Sequence, residues 1–359
     1  MPAGPPPAAG LLIRVIPAVP SPPQLLAGRS SSLVVTPAVA AHRGASGYRP
    51  EHTLEAFRLA VAQGADDVEL DLVATRDGVL VVRHDAELSR TTDVASRPEF
   101  AGRRTLKVIE GAPIRGWFVE DFDLEELKTL TTRERSPKDR PGSAEHNGRH
   151  PVATFEEVVR LVHAESAASG RSVGVLAEIK HGAYFRAAGL PLDDLLQDAL
   201  GRLGLDHERS RVSAMAFEAD VLRRLSGTVR VPLIQLVNRR DQVTRGRLAL
   251  ISTYADGVGV RKDLLLQRSL GSRLVRAAHR DWLTVHAWTL RAENRHLAKR
   301  FRVGDRRRQH GDLAGEARRL LDLGVDGLIT DHPDEVVGAR DAWMRSGLHS
   351  SGISSQPTR

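Results

Sequence analysis

The sequence predicts a parallel (β/α)8 TIM barrel, an α/β fold, with an insertion after its second strand region. Three observations lead there. Eight strand-length apolar runs alternate with segments of helical spacing, and the alternation continues over roughly 300 residues. Polar residues able to do chemistry stand at the carboxyl ends of the runs, where barrels of this kind build their sites. With 359 residues, 41% of them hydrophobic, the chain can bury one large barrel core, although length alone would also allow two domains.

The first run, Ala38 to Ala41, leads into His42, Arg43 and Gly44. Leu54, Phe57 and Val61 then recur at helical spacing. In the second run, Val68 to Leu72, Glu69 and Asp71 are two residues apart and share one face of a strand, while Val68, Leu70 and Leu72 point to the other. The turn Thr75-Arg-Asp-Gly78 follows, and Asp-Gly between apolar runs is a strong hairpin signal, so Val79 to Arg83 reads as an antiparallel return strand outside the count of eight. Folding back about that turn sets Asp71 close to opposite His84.

Residues 95–150 match no barrel unit. They are polar and rich in Arg and Gly, interrupted by Gly116-Trp117-Phe118 and by a helix candidate from Leu124 to Leu130 that Asp123 could cap. Connections this long are usually functional or disordered. Trp117 and Phe118 read as packing the insertion onto the barrel. Thr154 and Glu157 form a capping-box start ahead of Val158, Val159 and Leu161. The third run, Val173 to Ile179, ends with Glu178 and Lys180 at i and i+2, again on one face. The remaining five are Arg211 to Phe217, Val231 to Val237, Gly257 to Val260, Leu283 to Thr289 and Asp326 to Thr330, with Leu313, Ala317, Leu320 and Leu321 marking a helix before the last.

The strand ends suggest a chemistry. Two imidazoles, His42 and His84, an arginine and several carboxylates suit metal-assisted attack on a phosphate ester. Glu69, Asp71 and Glu178 make an all-oxygen donor set of the kind that Ca2+ and Mg2+ prefer, so one divalent cation is expected. Lys180, inside the barrel mouth, needs an anionic partner, for which phosphate is the candidate. Glu51 follows Pro50 at a helix start, where it either holds Arg43 in an ion pair or favours the helix dipole. Trp288 is either rim packing or a surface against which substrate carbons stack. His146, His150, His163, His207, His279, His296 and His310 read as surface groups, and His181, His286 and His332 as packing near the site.

Six stretches resemble the glycerophosphodiester phosphodiesterase family, and most its bacterial periplasmic-type branch. They are Ala41 to Thr53 (AHRGASGYRPEHT), Glu69 to Leu72 (ELDL), Arg83 to Asp85 with Thr91 to Asp93 (RHD and TTD), Glu178 to His181 (EIKH), Val285 to Thr289 (VHAWT) and Gly324 to Asp331 (GVDGLITD). Each motif alone is weak, but all six in order, spanning about 38 to 337, are highly specific. The resemblance implies a (β/α)8 barrel that hydrolyses glycerophosphodiesters to sn-glycerol 3-phosphate and an alcohol with a bound divalent metal. By position it puts the catalytic histidines on His42 and His84, the metal carboxylates on Glu69, Asp71 and Glu178, and a phosphate-binding arginine on Arg43. It also matches residues 95–150 to an insertion that can cover the substrate site. Family members often carry Pro and Tyr where this chain has Ala287 and Trp288, a difference in the wall that meets the glycerol or the alcohol. Two alternatives are a related barrel phospholipase acting on lysophospholipid or sphingomyelin and a non-catalytic phosphodiester-binding protein. The first calls for a longer apolar lip and the second for loss of a histidine or a carboxylate, and the sequence shows neither.

Composition excludes other classes. The 52 Lys and Arg exceed the 45 Asp and Glu by seven, enough to draw in anionic diesters or lipid headgroups. The densest basic run, Lys299 to Arg308, offers only Phe301 to stack on a base, so it reads as a solvated loop or helix end and no nucleic-acid partner is expected. With no cysteine there is no disulfide framework, thiolate zinc site or cysteine nucleophile. The first 37 residues, with nine of the 19 prolines, and residues 346–359, rich in Ser, Gly and Pro, are expected to be disordered. No stretch is long and apolar enough to span a membrane, and none reads as an ordinary signal peptide. The expected compartment is the cytoplasm, with export the alternative if a start placed too far upstream hides the true N-terminus. The expected partner is a small-molecule glycerophosphodiester, and the sequence does not predict an oligomeric state.

Overall fold

The computed structural model describes residues 36–350, with side chains to 346. Its strands, in chain order, are β1 (Ala38–His42), β2 (Asp67–Ala74), β3 (Leu80–Val82), β4 (Thr105–Ile109), β5 (Ala112–Gly116), β6 (Gly174–Ile179), β7 (Val212–Ala216), β8 (Leu233–Val237), β9 (Gly257–Arg261), β10 (Thr284–Leu290) and β11 (Gly327–Thr330). β1, β2 and β6 to β11 pair in parallel in that order, and β1 also pairs with β11, which closes the barrel. These eight are the eight apolar runs of the sequence, and both the barrel and the return strand β3 are as expected.

Helices cover the outside of the barrel. Leu54–Ala62 is the helix expected from Leu54, Phe57 and Val61; it buries Phe57 and Val61 together with Ala56 and Ala60, while Leu54 is half-buried. Phe155–Ser169 begins with the expected capping box: Glu157 N–H donates to Thr154 Oγ1 at 3.2 Å, and Thr154 N–H donates to the Glu157 carboxylate at 2.8 Å. The barrel interior is a separate apolar layer of Ala40, Leu176, Met215, Ile234, Leu236 and Ile329, with Phe217 and Trp288 packed on it. Gly259 makes room in that layer, because a Cβ there would stand 2.4 Å from Leu236 Cδ2.

Strand register sets the site. His42 lies beside Glu69 in the β1–β2 pairing, and Asp71 lies beside Glu178 in the β2–β6 pairing. The hairpin corrects the expected register by one residue. β2 and β3 pair Leu72 with Val82 and Ala74 with Leu80, and Arg83 N–H donates to Asp71 O at 2.9 Å, so Arg83 stands opposite Asp71 and His84 follows it. The cause is a three-residue connection, Arg76 to Gly78. It is closed by Thr75 N–H to Val79 O at 3.0 Å and takes its left-handed residue at Gly78, with φ of 78°.

The insertion folds on its own hairpin, β4 with β5, and on short helices including Leu124–Lys128. Trp117 and Phe118 are buried, and the indole N–H of Trp117 donates to Phe100 O at 2.7 Å, so both do pack the insertion. Phe118→Ala is expected to cost about 3–5 kcal/mol, read as a lower urea midpoint. The segments expected to be disordered fall largely outside the described residues, although the last helix, Pro333–Ser350, runs past Ser346. Among the described residues no helix is long and apolar enough to cross a membrane.

Candidate active site

Every candidate residue of the sequence except Glu51 lines or floors one cavity at the carboxyl end of the barrel. His42, Arg43, Glu69, His84, Glu178, Lys180 and Trp288 line it, in a volume of about 670 Å3. Asp71 lies fully buried beneath, and oxygens of Glu69, Asp71 and Glu178 come within 4.8 Å of one another.

Crowding three carboxylates in a buried site is costly, and the local charges show how it is relieved. Burial, then Asp71 and Glu178, push Glu69 well above the usual carboxylate range. Burial lifts Glu178 to about 7 even though Lys180 opposes it. Burial opposes ionisation of Asp71 as well, but Arg43 and Lys180 hold its carboxyl well below the usual range. Arg43 Nε stands 3.1 Å from Asp71 Oδ2, and Arg43 N–H donates to Glu69 Oε2 at 2.9 Å. Lys180 Nζ donates to Glu178 Oε1 at 2.7 Å and lies 3.8 Å from Asp71 Oδ1. Two cations thus serve three carboxylates, and neither oxygen of Asp71 accepts an aligned hydrogen bond. An all-oxygen set with unspent acceptors is the chemistry of a hard divalent cation site.

Each histidine has an aspartate behind it. His42 Nδ1 and Asp331 Oδ1 are 2.6 Å apart, as are His84 Nδ1 and Asp85 Oδ1. Burial and then Arg43 depress both imidazoles to about 4, against the pull of their aspartates, so both are neutral near pH 7. A neutral imidazole whose Nδ1–H donates to a carboxylate keeps its lone pair on Nε2, the arrangement of a general base. Burial opposes ionisation of Asp331, but Arg291 and Arg140 keep it well below the usual carboxylate range, with Arg140 Nη2 at 2.5 Å and Arg291 Nε at 2.9 Å.

Glu51 takes the ion-pair role of the two left open: its Oε1 accepts from Arg43 Nη1 at 3.1 Å and from Arg135 Nη2 at 2.6 Å. Arg135 also donates to Asp85 Oδ2 at 2.6 Å, so one guanidinium ties Glu51 to the His84 pair. Arg140 likewise joins Asp331, Glu293 and Ser46 O. The insertion therefore reaches the site through Arg135 and Arg140.

Four groups here escaped the sequence reading. Asp331 directly follows the last residue of β11, much as His42 ends β1, and that position was a usable signal. His52 sits inside the 41–53 motif and accepts from Asp71 N–H at 3.2 Å. Arg135 and Arg140 lie in irregular polar sequence that carries no signal. One reading is corrected: His296, expected at the surface, lines the cavity and is lowered to about 4 by burial and then Arg291. Lys299 and Arg302 lie in an exposed run, as expected, but both also line the cavity, because the loop after β10 turns back over the barrel. Trp288 contributes its indole to the cavity wall and meets Phe217 edge-on, with ring centres 5.5 Å apart.

Comparison with known proteins gives a consistent result. The profile of the glycerophosphoryl diester phosphodiesterase family matches residues 42–335. A glycerophosphodiester phosphodiesterase of Arabidopsis thaliana is 31% identical over 81% of this chain and 82% of its own. One of Haemophilus influenzae is 28% identical over 82% and 87%. Among solved structures, an Oleispira antarctica phosphodiesterase in complex with the product sn-glycerol-3-phosphate superposes with a TM-score of 0.59 at 19% identity, covering 85% of this chain and 97% of that one.

Proposed function

The chain belongs to the glycerophosphoryl diester phosphodiesterase family and is an enzyme of that class, and from that premise we propose that it hydrolyses glycerophosphodiesters to sn-glycerol 3-phosphate and an alcohol by metal-dependent, two-histidine catalysis. The observation that carries this reading is the convergence of two histidine–aspartate pairs on a buried three-carboxylate cluster in one cavity. The sn-glycerol-3-phosphate held by the Oleispira phosphodiesterase agrees with a product of this kind.

Glu69, Asp71 and Glu178 would hold a Ca2+ or Mg2+ ion. Such an ion supplies Lewis-acid stabilisation of charge on a phosphoryl oxygen. Arg43 and Lys180 face the cavity from the same cluster and offset the charge that grows on the phosphorane-like transition state. His42 and His84 divide the proton work. One Nε2 takes the proton of the nucleophile, water or a glycerol hydroxyl, while the other imidazole, protonated once the phosphate anion offsets Arg43, gives its proton to the leaving alkoxide. Glu51 and Asp331 act through others: Glu51 orients Arg43, and Asp331 fixes the tautomer of His42.

The test is release of sn-glycerol 3-phosphate from glycerophosphocholine in a coupled dehydrogenase assay, with and without chelator. Release that needs added divalent cation supports the reading, and no release under any metal condition sinks it. Asp331→Asn is expected to lower kcat by roughly 10²-fold or more with KM little changed, because an amide does not hold the Nδ1–H tautomer as a carboxylate does. Steady-state kinetics that separate kcat from KM check this.

A further inference from the structure

The cavity has a second side. Counting round the closed barrel, the strand across from β2 is β9 and the strand across from β6 is β10. The carboxylate cluster on β2 and β6 therefore faces Arg261 at the end of β9 and the loop that follows β10. That loop sends Arg291, Arg295, Lys299 and Arg302 to the cavity wall. Between the two sides the lining is apolar, from Met215, Phe217, Leu236 and Trp288.

Most of these cations are already balanced. Arg291 serves Asp331, Arg295 pairs with Asp139, and Arg261 lies 3.5 Å from Asp263. Lys262, also in the wall, is neutralised by buried Glu316. Lys299 and Arg302 differ. Among the described residues neither has a carboxylate partner, and Arg302 makes one bond, from Nε to Leu297 O at 3.0 Å. Asp263 is the one acidic residue lining this side of the cavity.

The placement of the two is built into the fold. Buried Asn294 braces the loop from within: its amide donates to Val303 O at 2.7 Å and to Arg306 O at 3.0 Å, and its Oδ1 accepts from Val303 N–H at 3.0 Å. Ala298 N–H, just before the turn Lys299–Phe301, donates to the buried Glu316 carboxylate at 2.9 Å. The loop backbone is fixed, and from it two exposed cations with no carboxylate partner are presented at the cavity wall, an arrangement that can recognise an anion by charge-assisted hydrogen bonds.

We propose that Lys299 and Arg302 form a second anion subsite, and that the preferred substrates are diesters whose alcohol carries a further phosphate. This rests on the diesterase reading above. The scissile phosphate lies against Arg43 and Lys180, the carbon skeleton crosses the Phe217 and Trp288 wall, and the added phosphate meets Lys299 and Arg302. Two sources share that chemistry: a terminal phosphate on a polyol alcohol, and the next diester phosphate of a glycerol phosphate oligomer.

The experiment compares kcat/KM for glycerophosphoinositol, its ring-phosphorylated form and a short glycerol phosphate oligomer, with divalent cation supplied. It is run near 0.15 M ionic strength, where the Debye length is about 8 Å and long-range steering is largely screened. The native enzyme should favour one or both polyphosphorylated substrates by roughly 10- to 100-fold, mostly through KM, as one or two charge-assisted hydrogen bonds would give. Which one is favoured identifies the source. In the exposed Lys299→Met/Arg302→Met variant the ratio should fall to near one. Equal kcat/KM for all three in the native enzyme, or a ratio unchanged in the variant, overturns the subsite. If nothing is hydrolysed, the diesterase reading fails by itself, and calorimetric binding of the same compounds decides the subsite: tighter binding of a polyphosphorylated compound to native protein than to the variant supports it, and equal binding overturns it.

Discussion

His42→Ala and His84→Ala should each lower kcat for glycerophosphodiester hydrolysis by roughly 10²- to 10⁴-fold, the usual worth of a positioned proton carrier. The double variant should lose less than the product of the two, because groups that serve one transition state are not additive. Both single variants should keep their stability within about 1–2 kcal/mol. His84 lies on the cavity wall with about a third of its side chain exposed, so its removal leaves little unfilled space. His42 is more buried, but its aspartate keeps Arg140 and Arg291 as partners. Urea midpoints together with the coupled assay separate the two effects. Near-normal turnover in both variants would remove the proton chemistry from the mechanism.

Legibility in the sequence followed the range over which each feature is determined. Barrel strands and capping boxes depend on a few neighbouring residues, and Thr154 with Glu157 or Glu69 with Asp71 could be placed from spacing alone. The β2–β3 register depended on whether the turn spans two residues or three, which Asp77-Gly78 does not say, and the reading slipped by one. Partners far apart in sequence were harder. Asp331 reaches His42 across 289 positions, and only its place at a strand end marks it. Arg135 and Arg140 are set by how the insertion folds back, and nothing local distinguishes them from the other arginines between 95 and 150. Lys299 and Arg302 are exposed, as their basic run suggested, but that they also line the cavity was not legible, since it depends on the buried Asn294 brace and the return path of the loop.

Removing the cation should abolish turnover and leave a protein that regains stability when Ca2+ or Mg2+ is added. A ligand that binds only the folded state stabilises it by about 2.7 kcal/mol at a hundred times its Kd, so Tm should rise by several degrees with saturating metal. Glu69→Gln separates this effect from packing. In the metal-free fold the Glu69 carboxyl is pushed well above its ordinary range by burial, then by Asp71 and Glu178. The folded state then holds that proton more tightly than the unfolded chain, so the residue lowers stability as pH rises past its unfolded value. A neutral amide of the same size, whose carbonyl can still accept from Arg43 N–H, removes that penalty. Metal-free Glu69→Gln should therefore be more stable than the native protein near pH 7, read as a higher urea midpoint. It should also be inactive and show little Tm response to Ca2+ or Mg2+. A native-like metal response in this variant would show that the cation is held elsewhere. A variant less stable without metal would mean that the crowded carboxylates are balanced by the fold alone, leaving Arg43 and Lys180 to satisfy all three.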